Sequence, residues 1–75
     1  MKRKRLEMRY NKDAGFWFVE EEGQTSFLFA GEWFDLYITE NRSFPCWLEY
    51  SKRWSLVMGK LRLHLRTQDV YKTEV

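Results

Sequence analysis

Apolar and polar residues alternate along most of this chain with the period of two that sends successive side chains to opposite faces of a strand. In RLEMRY, Leu6, Met8 and Tyr10 share one face and Arg5, Glu7 and Arg9 the other. In LRLHLR, Leu61, Leu63 and Leu65 lie opposite Arg62, His64 and Arg66, so the leucines are expected to be buried and the polar set exposed. Between these segments, FWFVEE, TSFLFA, WFDLYI, FPCWLEY and WSLVM carry the aromatic and β-branched residues of strands. The turn candidates NKDAG, EEGQ, AGE, ENRS, SKR and GK punctuate the series, about ten residues apart. Gly59-Lys60 has the length of a two-residue hairpin loop, which needs a residue at positive φ. FLFAGEWF reads as two strands joined by a tight turn at Gly31. Pro45 cannot donate to a ladder, so its strand is expected to be an edge or to bulge there.

The two ends are less regular. Residues 1–4 read as a basic tail. TQDVYKTEV, residues 67–75, alternates poorly and is expected to be a short turn or a frayed tail. No linker, repeat or low-complexity segment interrupts the rest, so residues 1–75 are taken as one small β-barrel domain. The expected architecture is all-β: a small antiparallel SH3-like barrel of five to seven short strands, which bends strongly and hides its edges. An oligonucleotide-binding-type barrel ranks second, because it usually wants a helix and none is evident.

Chain length sharpens the question of what fills the core. At 75 residues a single core only just offsets chain entropy. Cys46 is the only cysteine and His64 the only histidine, so an intrachain disulfide and a Cys/His zinc cluster are both unavailable. Four Trp, four Tyr and six Phe remain as the means of burying area. One small barrel cannot bury both faces of FWFVEE, WFDLYI and FPCWLEY, so some aromatics must form a surface patch. A lone cysteine fits a reducing compartment, and a cytoplasmic location is expected. MKRKRL imitates the opening of a signal peptide, but the apolar run of roughly 7–15 residues that should follow is missing, and no stretch reaches membrane-spanning length.

Charge is unevenly spread. Residues 1–12 hold six Lys/Arg against Glu7, residues 13–49 hold eight Asp/Glu against Arg42, and residues 50–75 hold six Lys/Arg against Asp69 and Glu74. If the terminal strands of a barrel meet, the two basic segments should converge and leave the acidic middle across the molecule.

Four fragments carry a family resemblance. Leu6, Tyr10, Asn11 and Lys12, then Phe27 to Phe34, then Cys46 to Tyr50, then Trp54 to Val57 resemble a short bacterial family catalogued as domain of unknown function 5348. Ala30, Trp47 and Ser55 depart from residues common in that family. The resemblance carries no activity. It implies a small accessory protein of a bacterium, a phage or a mobile element.

Catalytic constellations fail by inventory, and no enzyme is expected. Cys46 and His64 are the one nucleophile and base pair, and alternation puts them on different faces of different strands. Glu20, Glu21 and Glu22 form the densest carboxylate cluster, but neighbours in a strand end point in different directions. The four glycines are isolated turn residues, without a phosphate loop among them. No cofactor or metal is implied.

Two binding readings remain. The first is a protein-binding module using Trp17, Trp33, Tyr37 and Trp47, the residue types of interface hot spots, with an acidic surround suited to a basic partner. An inhibitor or adaptor of a host system is one form this takes, and a homodimer competes for the same surface. The second is nucleic-acid binding by Arg5, Arg9, Arg62, His64 and Arg66 on the terminal strands, with Lys52, Arg53 and Lys60 as further basic features and Tyr10 and Trp54 as stacking platforms.

Overall fold

The computed structural model describes residues 4–75, so residues 1–3 of the expected basic tail lie outside the described residues. Strands β1 (Arg5–Asn11), β2 (Phe16–Glu21), β3 (Gln24–Leu28), β4 (Trp33–Thr39), β5 (Arg42–Tyr50), β6 (Trp54–Met58) and β7 (Leu61–His64) fall where alternation predicts them. An eighth, β8 (Tyr71–Glu74), was not expected. All pairings are antiparallel. The order across the sheet is β3-β2-β1-β8-β4-β5-β6-β7.

Two meanders are therefore joined by the last strand. Within the segment expected to be a short turn or frayed tail, only Thr67 and Gln68 form a turn, and β8 then inserts between β1 and β4. It pairs Arg5 with Glu74 and Met8 with Tyr71 on one side, and Asp35 with Glu74 and Leu36 with Thr73 on the other. Thr73 explains why this strand is hard to read from sequence. It is fully buried, and its hydroxyl donates to the Leu6 carbonyl at 3.1 Å, so a polar residue occupies a core position at no hydrogen-bonding cost.

The expected closed barrel is corrected to an open sheet, because β3 and β7 each have one partner strand and leave two edges. The sheet nevertheless curls around its core. Phe16 of β2 and Trp54 of β6 have ring centroids 6.1 Å apart, although a flat sheet with strands about 4.8 Å apart would hold those positions more than about 20 Å apart. A run of rings, Phe18–Phe27–Phe16–Trp54–Tyr50, spans the gap. Aromatic contacts thus do what backbone bonds do in a closed barrel.

The concave face holds Met8, Trp17, Phe34, Leu36, Cys46, Leu48, Leu56 and Thr73, each at most 2 % exposed. Its leucine triad is graded: Leu65 is buried, Leu63 half-buried, and Leu61 is 70 % exposed. The expected face is right and the expected depth of Leu61 is wrong. Leu61 starts an edge strand and opens with Ile38, Phe44 and Met58 onto a shallow apolar groove.

Turn chemistry fixes the registers. Glu22 and Gly23 have φ of 52° and 80° between the pair Glu21–Gln24, the two positive values a type I′ hairpin requires. Gly59 at φ 58° begins the two-residue loop between Met58 and Leu61. The turn at Phe29–Glu32, closed by the Glu32 amide donating to the Phe29 carbonyl at 3.1 Å, is a corner rather than a hairpin, since β3 and β4 are not neighbours. Pro45 is on neither an edge strand nor a bulge. Leu48 donates its N–H to Glu32 on the β4 side, so by alternation position 45 faces the β6 side. There the β5–β6 ladder has already ended at Trp47–Val57, and no donor is missed.

Candidate functional site

Packing against the concave core decides which aromatics can meet a partner. Trp17 cannot: it is fully buried, with Tyr10 and Tyr71 edge-on to it at 5.3 and 5.7 Å. FWFVEE had left open which pair of residues faces out. The register Tyr10–Trp17 and Met8–Val19 puts Trp17 and Val19 inside, with Phe16 and Phe18 half-buried on the other side.

Trp33 and Trp47 do come together. They are directly opposite on β4 and β5, with centroids 6.5 Å apart and planes at 45°. Trp33 is 68 % exposed and Trp47 half-buried. Trp33 borders a groove of about 530 Å³ whose walls include Val19, Leu28, Phe34, Pro45 and Val75. Glu32 and Asp35 line the same groove. The Glu32 carboxylate accepts the Phe29 N–H at 3.0 Å. Tyr37 shares this strand face but is half-buried under Arg5, whose guanidinium carbon is 3.8 Å from the ring centre.

The cationic candidates are dispersed and locally neutralised. Four strands separate β1, which carries Arg5 and Arg9, from β7, which carries Arg62 and His64. The terminal strands β1 and β8 do meet, but β8 brings only Lys72 to that seam, so the expected convergence of Arg5 and Arg9 with Arg62 and Arg66 is corrected. Two ion pairs are local, Arg9 with Glu7 at 2.7 Å and Arg66 with Asp69 at 3.9 Å, and one joins a basic segment to the acidic middle across strands, Arg62 with Glu49 at 2.9 Å. Arg5 donates to the Glu40 carbonyl at 2.6 Å. His64 is exposed, and its Nδ1 lies 3.0 Å from the Ser55 hydroxyl.

Cys46 is fully buried and donates weakly to the Phe34 carbonyl at 3.4 Å. Burial, with help from the Asp35 charge and against a hydrogen bond from the Leu36 backbone, pushes its thiol up to about 11. A thiol that stays protonated is a poor nucleophile. Among the described residues no group of three His, Cys, Asp or Glu side chains could hold a metal ion, and no helix is long and apolar enough to cross a membrane.

The model of one family, Domain of unknown function (DUF5348), matches residues 6–75. The chain belongs to the DUF5348 family. Neither a curated protein nor a solved structure matches it. The DUF5348 match covers all eight strands except the first residue of β1, so it includes both tryptophans of the exposed pair.

Sequence reasoning counted Lys52 and Arg53 among the basic features of a nucleic-acid surface but passed over Lys12. Lys12, Lys52 and Arg53 are exposed and form no ion pair among the described residues. Their placement in tight loops was a signal available in the sequence.

Proposed function

We propose that this DUF5348 protein is a non-catalytic binding module that receives a protein partner on the Trp33–Trp47 face. The carrying observation is Trp33, 68 % exposed and paired with Trp47 beside an apolar groove. A large, rigid ring held by a strand loses little side-chain freedom on binding, which is why Trp dominates interface hot spots. Glu32 and Asp35 beside the groove favour a partner whose apolar plug is flanked by Lys or Arg. A cytoplasmic accessory protein of a bacterium, a phage or a mobile element fits this role, on the ground of the family resemblance.

The test compares the wild type with Trp33→Ala and Trp47→Ala. Each is used to capture partners from a bacterial lysate with and without nuclease, beside gel filtration at two concentrations. The expected result is a nuclease-resistant partner retained by the wild type, lost by both variants, with all three proteins eluting as monomers. Equal capture by the variants defeats the reading. A wild-type dimer that Trp33→Ala converts to monomer would assign the face to self-association instead.

A further inference from the structure

A second cleft opens where the aromatic run closes the curled sheet. Tyr10, Phe16, Tyr50 and Trp54 line it, with Gly15 and Ala30 between them, around about 440 Å³. Tyr50 is 57 % exposed, and its ring lies 4.7 Å from that of Trp54 at 51°. Phe29, 53 % exposed, stands edge-on to Phe16 at 5.4 Å.

Two loops lead into this cleft. Residues 12–15 connect β1 to β2, and residues 51–53 connect β5 to β6. They carry Lys12, Lys52 and Arg53 within three positions along the chain of the lining residues Gly15, Tyr50 and Trp54, and these three exposed cations have no ion pair among the described residues. The acids closest along the chain are Asp13, beside Lys12, and Glu49, before Lys52. Glu49 is paired with Arg62, which leaves Asp13 as the acid next to these three positive charges along the chain.

We propose that this cleft binds single-stranded nucleic acid, with bases stacking on the exposed ring of Tyr50 and its neighbours and phosphates held by Lys12, Lys52 and Arg53. Flat rings beside unpaired cations match a ligand that alternates flat π-faces with negative charge. A duplex has its base faces already stacked on one another, so it cannot use the rings. An acidic peptide would satisfy the cations but leave the rings idle. The site is separate from the Trp33–Trp47 face and does not rest on the reading given for that face. It also differs from the basic terminal strands, whose arginines are engaged in ion pairs or over Tyr37.

The full chain is titrated by fluorescence anisotropy against labelled oligothymidylate and oligouridylate of about twelve nucleotides, within the usual span of a small β-domain site. A hairpin duplex and a polyglutamate peptide serve as competitors. Expected is single-strand binding at least about tenfold tighter than duplex binding, with a slope of log K on log salt near about −2 for three phosphate contacts. Tyr50→Ala should weaken it about tenfold or more, Tyr50→Phe should retain it, and Lys52→Glu with Arg53→Glu should abolish it. Lys52 and Arg53 are exposed, so their variant should melt with the wild type; Tyr50→Ala gives up a ring contact with Trp54 and is read only at a temperature where its melting curve shows it folded, with Tyr50→Phe as the stability-matched control. Trp33→Ala should bind oligonucleotide as the wild type does, which separates this site from the protein-binding face. No binding of either single strand, equal binding of duplex, or indifference to Tyr50→Ala would overturn the proposal. Displacement by polyglutamate that also depends on Tyr50 would reassign the cleft to an acidic peptide.

Discussion

Tyr37 donates a 2.6 Å hydrogen bond to Glu74, and so ties β4 to β8 on the convex face, outside the joint between the two meanders. Arg5 of β1 covers the same ring at 3.8 Å, which brings three adjacent strands into one contact. Tyr37 was expected to meet a partner, but its geometry is that of a clasp. Tyr37→Phe keeps the ring under Arg5 and removes the hydroxyl, and should cost about 1–2 kcal/mol in urea unfolding. Tyr37→Ala also forfeits the cation–ring contact and should cost about 0.5–1 kcal/mol more. Equal stability of the Phe variant and the wild type would show that the bond contributes nothing.

Trp17 and Trp33 should respond in opposite ways. Trp17→Ala empties the centre of the core and should cost about 3–5 kcal/mol. Trp17→Phe should cost clearly less, because the indole N–H has no hydrogen-bond partner to lose. Trp33→Ala removes a ring that is 68 % exposed and should shift stability by no more than about 0.5 kcal/mol. Chemical denaturation of the three variants checks all of this at once.

The contrast between those tryptophans shows how far the sequence could be read. Alternation, aromatic and β-branched content and turn residues located β1 to β7, because each has a recognisable boundary. The same alternation left Phe16 and Phe18 or Trp17 and Val19 as equal candidates for the core, since both faces of that strand are apolar. What decides is the pairing of Tyr10 with Trp17, a long-range fact. Strand β8 was hidden by Thr73, whose hydroxyl finds its partner on Leu6 only after folding. Arg62 and Arg66 looked like part of a basic surface because their acidic neighbour across strands, Glu49, and the orientation of Asp69 depend on topology and loop path. Of the exposed pair, Trp33 and Trp47 were legible as surface because their strand neighbours Phe34, Cys46 and Leu48 fill the inner face.

Glu22 holds φ at 52° in the β2–β3 turn, a conformation that costs a non-glycine residue about 1–2 kcal/mol. Glu22→Gly or Glu22→Asn should recover part of this. Differential scanning calorimetry should record a rise in Tm of about 4 °C or more. A lower Tm for both variants would mean that the Glu22 side chain makes a compensating contribution.

Cys46 gives a pH dependence with a definite sign. Its thiol is raised from 9.0 to about 11 in the folded chain, so the unfolded state loses its proton first as pH rises. The stabilisation is fully present below pH 9 and is lost as pH climbs through the interval up to about 11. The loss approaches roughly 2–3 kcal/mol relative to a Cys46→Ala variant, which lacks the titration. Stability curves of the two proteins across that interval should converge. A thiol reagent at neutral pH should label native Cys46 no faster than the chain unfolds.

Strand β8 also has a consequence for how the protein is made. Leu6 and Thr73 lie 67 positions apart, so the bond between them forms only after all the strands that separate them have left the ribosome. Each meander can close its hairpins within about 1–10 μs, yet at about 5–20 residues per second the ribosome needs seconds to deliver the strand that unites them. During that wait the facing edges of β1 and β4 are unpaired templates for any other extended chain. The high contact order of the finished sheet makes the last docking step slow as well. Expression at lower temperature or with a holding chaperone should therefore raise the soluble yield, by shielding two nascent edges that the native molecule no longer has.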